Sequence, residues 1–206
     1  MEKKIKEYYS KFTEQYTKKN YPEWFNFCNK YNEQFGNDGY KPGKSGHKLE
    51  HFAILQTPIY DERNIIIVGN NNSWFIDDKR RIGESLDIVR GLEKGIPKLN
   101  YLNSNESQYS KSLKSYFEIL GEDSKNLFER AIGINRLWIQ TGPKCPPTDC
   151  ELTKEIKSNA ALSMEWKNLE RTCRQWTKEI IELVNPKLVL LLSGAAQKLY
   201  PEGVHA

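Results

Sequence analysis

Apolar positions recur along this chain with two different periods, and the period changes where turn residues cluster. Near the start, Ile5, Tyr8 or Tyr9, Phe12 and Tyr16 follow one another every three or four residues, the spacing of one helix face. Pro22, a residue suited to the first helical turn, predicts a second helix carrying Trp24, Phe25, Phe27, Cys28 and Tyr31, stopped by Gly36-Asn37-Asp38-Gly39. Residues 1 to about 38 are thus expected to form a helical layer whose aromatics pack on the main core. Asn64-Ile65-Ile66-Ile67-Val68 then gives a β-branched run without polar alternation, the pattern of a strand buried on both faces in a parallel sheet. A polar turn, Gly69-Asn70-Asn71-Asn72-Ser73, is expected after it, leading to Trp74 and Phe75.

The helical period returns over residues 79 to 130, with breaks at Gly91, Gly95-Ile96-Pro97 and Gly121, and a loop or helix start between Asn103 and Ser112. A second strand is predicted from Ile134 to Gln140, running into Thr141-Gly142-Pro143-Lys144-Cys145-Pro146-Pro147, where the prolines stiffen the chain. Trp166, Leu169, Cys173, Trp176, Ile180 and Leu183 step along one face of a long helix, roughly Ser163 to Val184, which Asn185-Pro186 ends. A third buried strand, Lys187 to Leu192, follows. Strands separated by helices require crossover connections. The expected fold class is therefore α/β, a three-layer α/β/α arrangement with a central parallel sheet. The expected organisation is an N-terminal helical segment over 1–40 and an α/β domain over 41–206.

Composition changes this picture little. The apolar share is 38% of 206 residues, below the globular average. Five Trp, eleven Tyr and eight Phe offset this with large buried area per residue, so a packed core is expected and wholesale disorder is not. The longest apolar run, Leu188 to Leu192, is strand-sized and far short of the roughly 18 residues of a membrane span. The charged N-terminus lacks the apolar stretch of a secretory signal, and a cytoplasmic location without a membrane partner is expected. Cys28, Cys145, Cys150 and Cys173 show no C-x-x-C pair and read as free thiols. The net charge of +4 permits contact with nucleic acid without requiring it, because clustering matters more than the total. The loop from Tyr40 to Lys48 is glycine-rich and basic but lacks the pattern of a phosphate-binding loop. It is either a solvated loop or, through Lys44, a phosphate contact.

Three segments, in order, resemble the uracil-DNA glycosylase superfamily and together cover residues 64 to 200. Ile65 to Phe75 resembles the family's first motif, a strand followed by a glycine-led turn. Leu137-Trp138-Ile139-Gln140-Thr141-Gly142-Pro143-Lys144-Cys145-Pro146-Pro147 is similar to the T-N-x-x-K-C-x-P-P stretch of thermophilic members. Cys173-Arg174-Gln175-Trp176, with Ile180 to Leu192 and then Gly194, looks like the helix and strand of the third motif. The family's chemistry flips a base out of the stack into a pocket and stabilises the departing uracil anion electrostatically.

Aligned on Gly69, the resemblance puts the water-positioning residue at Asn71, the base-stacking aromatic at Phe75 beside Trp74, and the backbone of Asn70 at the base's carbonyl edge. Asn72 stands where the family has Pro, and Thr141 where it has a base-reading Asn; one hydroxyl cannot pair with both edges of uracil. Lys144, with Lys44, would touch the nucleic acid. The family's histidine loop has no match after Gly194. Cys145 and Cys173 lie where thermophilic members hold two of four iron–sulfur ligands, but their N-terminal C-x-x-C is missing; no cofactor or metal is expected. The resemblance implies hydrolysis of the N-glycosidic bond of uracil or a related damaged base in single- or double-stranded DNA. The alternative is an inactive member that binds a nucleobase, nucleotide or nucleic acid. Without the resemblance, Asn70-Asn71-Asn72 also reads simply as a turn, since Asn tolerates left-handed backbone.

Overall fold

A computed structural model describes residues 1–36, 52–60, 65–71, 108–139, 151–192, 196 and 199. Nine elements run through them: α1 (Glu2–Gln15), α2 (Pro22–Gly36), β1 (Ile65–Asn71), α3 (Gln108–Ile119), α4 (Glu122–Glu129), β2 (Ile132–Leu137), α5 (Glu151–Ser158), α6 (Ala160–Val184) and β3 (Leu188–Leu191). The three strands are all parallel, in the order β2-β1-β3. Register is set by Ile66 opposite Ile132 and Val189, and by Val68 opposite Ile134 and Leu191.

The β-branched run of β1 is buried on both faces, as its unbroken apolar pattern requires. Ile66 and Val68 join Ile132, Ile134 and the apolar faces of α1, α2 and α6 in one cluster. Ile65 and Ile67 join Phe117 of α3, Phe128 of α4 and Ala131 in the other. Helices therefore cover both faces of a mixed α/β fold. The crossover from β1 to β2 contains α3 and α4, and that from β2 to β3 contains α5 and α6. They travel in opposite directions across the sheet, so crossovers of the same hand place their helices on opposite faces, as found here.

α1 buries Ile5, Tyr9 and Phe12, with Tyr16 just beyond its end; Tyr8 is only partly buried. Phe12 is the centre of an aromatic cluster, its ring centroid 5.1 Å from Trp138, 4.8 Å from Phe52 and 6.3 Å from Trp176. α2 starts at Pro22, and its first amides are capped from α6. The Glu165 carboxylate, only 9% exposed, accepts the Trp24 backbone N–H at 2.8 Å and that of Glu23 at 3.4 Å. A buried carboxylate at this position satisfies otherwise orphaned donors and lies at the positive end of the helix dipole. α6 ends at Asn185, which adopts left-handed φ 50°, and Pro186 prevents continuation.

Several boundaries differ from the sequence expectation. α6 begins three residues earlier than Ser163, at Ala160, because Asn159 caps it by accepting the Leu162 N–H at 3.0 Å. β2 begins at Ile132 and ends at Leu137, where the sequence predicted Ile134 to Gln140. α5 was not predicted. β1 is longer than expected: Gly69, Asn70 and Asn71 continue the strand rather than opening a turn, with Gly69 opposite Asn135 and Asn71 opposite Leu137. The parallel ladder to β2 outweighs the local turn preference of Gly and Asn.

The residues over 52–57, for which the sequence offered no periodicity, run antiparallel along the outer edge of β2. Bridges join Phe52 to Ile139 and Leu55 to Ile134, through Ala53 N–H to the Trp138 carbonyl at 2.7 Å and Gln56 N–H to the Gly133 carbonyl at 2.8 Å. This edge is thereby closed to further pairing.

Candidate functional site

In an open α/β sheet, ligands bind outside the carboxyl ends of the strands, where neighbouring connections leave toward opposite faces. β1 and β2 are such neighbours. The chain leaving β1 proceeds to α3 and α4 on one face, and the chain leaving β2 to α5 and α6 on the other. Asn71 opposite Leu137 is the last pair of this ladder. The backbone of Gly69, Asn70 and Asn71 thus ends beside Leu137 and Trp138, the start of the second segment singled out in sequence. Asn72, Trp74, Phe75, Thr141, Lys44 and Lys144 lie outside the described residues.

Below this edge, β2 carries polar groups in an otherwise apolar layer. Asn135 is fully buried; its Oδ1 accepts from Gln56 Nε2 at 2.7 Å and its Nδ2 donates to the Ala53 carbonyl at 3.3 Å. The Thr57 hydroxyl accepts the Gly133 N–H at 2.8 Å. A side chain at position 133 would meet Gln56 Cβ and Thr57 Cγ2, each at 3.2 Å, which is why glycine stands where this segment crosses the strand. Gln56 Oε1 is buried with no donor among the described residues. Trp138 Nε1 donates to the Thr177 hydroxyl at 3.0 Å, and that hydroxyl donates to the Asn135 carbonyl at 3.2 Å. These bonds fasten the 52–57 segment and α6 to β2, and so fix the strand end on which the candidate site depends.

Arg136, 4% exposed, reaches Glu170 on α6 with both terminal nitrogens, at 3.3 and 3.4 Å. The ion pair ties α6 to β2 and occupies this guanidinium with a carboxylate of the protein. Cys28 and Cys173 are buried. Burial pushes the Cys173 thiol up to about 12, against a smaller lowering by a backbone hydrogen bond at Trp138, so it stays a neutral packing group rather than a nucleophile or ligand. Cys145 and Cys150 lie outside the described residues. Among the described residues, no three His, Cys, Asp or Glu side chains come together as a metal site, and no helix is long and apolar enough to cross a membrane.

Two tyrosines of α1 hold their protons strongly. Burial and the Glu179 carboxylate, which accepts from the Tyr8 hydroxyl at 2.6 Å, push Tyr8 up to about 12. Burial raises Tyr9 further, although its hydroxyl oxygen accepts the Ile54 and Leu55 backbone N–H groups at 3.1 and 3.2 Å. Tyr9 thus positions the same 52–57 segment from the other side.

Sequence reasoning passed over Gln56, Thr57, Asn135, Arg136 and Thr177. The one available signal was Asn135-Arg136 inside an apolar strand, since polar residues there must be partnered. Comparison of the chain with protein-family models, with curated proteins and with solved structures found no match.

Proposed function

We propose that this chain is a uracil-DNA glycosylase-like enzyme that hydrolyses the N-glycosidic bond of a flipped uracil or related damaged base in DNA. The observation that carries the reading is the adjacency of the two strand ends. The first and second motif-like segments, far apart in sequence, issue from neighbouring parallel strands at one edge of the sheet. In this reading the Asn71 amide orients a water toward the sugar carbon. The backbone at Gly69 and Asn70 faces the base's carbonyl edge, Phe75 and Trp74 supply the stacking surface, and Asn72 and Thr141 line the pocket. The C1′–N1 bond breaks and the base leaves as an anion; the water oxygen bonds to C1′, keeps one hydrogen as the new hydroxyl, and releases the other as the proton that neutralises the base. An amide is a poor base, which suits bond cleavage that runs ahead of water attack.

A second reading, a base-binding protein of the same architecture without catalysis, draws on Thr141: its single hydroxyl cannot satisfy both edges of uracil. Release of free uracil from a uracil-containing single strand, measured beside Asn71→Ala, separates them. Catalysis requires release by the wild-type chain and a drop of at least about 100-fold in the variant, the usual scale for a positioned catalytic group. A folded wild-type chain that binds the strand and releases no uracil excludes the enzyme and leaves the binding protein.

A further inference from the structure

α6 spans 25 residues, about 37 Å at 1.5 Å per residue, whereas β2 spans 6, about 20 Å. Its last turn leads through Asn185, Pro186 and Lys187 into the start of β3, at the amino edge of the sheet. The first half of α6 therefore overhangs the carboxyl edge, the end where β1 and β2 finish. There, between α5 and α6, lies a recess of about 790 Å³ whose lining includes Lys157, Ser163, Lys167, Asn168, Glu170, Arg171 and Arg174, four cationic groups to one carboxylate.

Lys167, Arg171 and Arg174 are spaced by four and three along α6, hence on one face, and all three are exposed. The one carboxylate, Glu170, is paired with Arg136; of the other glutamates of the helix, Glu165 caps α2 and Glu179 accepts from Tyr8 and Gln175, and neither these two nor Glu182 lines the recess. Asn168 Oδ1 accepts from the Arg171 guanidinium and orients it. Lys157, Lys167, Arg171 and Arg174 make no ion pair among the described residues. Met164, 62% exposed, adds an apolar patch at the recess that the face of a base or a sugar can cover. Clustered Lys and Arg with neutral Ser and Asn donors is the composition of a phosphate-contacting surface, and an apolar contact beside it suits an unpaired strand.

We propose that this recess is a binding site for the phosphate backbone of single-stranded nucleic acid. The site rests on nucleic acid being the partner, but not on base excision. Anisotropy of a labelled 20-nucleotide thymidine strand, which contains no uracil, tests it on the full chain. Lys167→Glu/Arg171→Glu/Arg174→Glu is expected to weaken binding at least tenfold and to flatten its salt dependence, each lost phosphate contact removing about 0.7 from the slope of log K against log salt. Arg171→Gln/Arg174→Gln, which only neutralises exposed groups, is expected to weaken it by an intermediate factor. Unchanged affinity in both variants overturns the proposal. So does displacement of the labelled strand by polyaspartate as effectively as by unlabelled strand, because the site would then be a general polyanion surface. Asn71→Ala is expected to bind this strand like wild type, so loss of uracil release and loss of strand binding are read separately.

Discussion

Thr177 illustrates how single residues hold the candidate site in shape. Its hydroxyl is the acceptor for the buried Trp138 indole N–H and a donor to the Asn135 carbonyl, so one side chain of α6 serves one group of β2 and one of the residue that follows it. Valine has the same shape without the hydroxyl and leaves the indole N–H without this acceptor. An unpartnered buried group costs about 1–3 kcal/mol, and Thr177→Val is expected to lose that much in urea unfolding with an unchanged slope. A loss below a few tenths of a kcal/mol would mean that the bond carries no net stability. None of this was legible beforehand: the helical period marked Cys173, Trp176 and Ile180 as the buried face, and a threonine between them reads as ordinary. Asn71 shows the opposite limit. Its place just beyond an apolar strand was legible from the run before it, but the turn expected there is a continuation of β1, because pairing with Leu137 is a long-range fact.

At the scale of elements, the long apolar faces were the legible part. α1, α2 and α6 appear where spacing put them, since burial of a continuous stripe leaves few alternatives. The three apolar runs are strands, but β2 lies two to three residues earlier than expected and β3, expected to be buried, is only partly so, with Leu188 exposed. The segment over 52–57 was invisible, because its order comes from β2 and Tyr9 rather than from its own pattern. α5 was missed for a related reason: eight residues hold too few turns for periodicity to emerge. The start of α2 depends on another element in the same way, through Glu165. Glu165→Gln keeps one oxygen acceptor and removes the charge from the helix N-terminus, a loss of about 1 kcal/mol. The expected signs are that loss in thermal unfolding and faster hydrogen exchange at the Trp24 amide. Unchanged exchange there would show that α2 is held by its aromatic packing alone.

For the whole molecule, α1 binds through protonated tyrosines. Tyr8 rises from the ordinary value of 10.0 to about 12, and Tyr9 rises as well. A folded value above the unfolded one gives stability that is fully present below pH 10 and lost as pH climbs from 10 through 12. The unfolding midpoint is expected to fall over that interval, and less steeply in Tyr8→Phe; equal slopes would contradict the account. The same architecture closes one side of the sheet with the 52–57 segment and covers both faces with helices, and the candidate site is proposed at the carboxyl ends of β1 and β2. The most direct test of that placement is hydrogen exchange of the chain with and without a saturating uracil-containing single strand. Protection is predicted in peptides ending β1, over 65–75, and β2, over 137–147. Protection confined to other surfaces, or to the recess on α6 without the ends of β1 and β2, would contradict a site at those two strand ends.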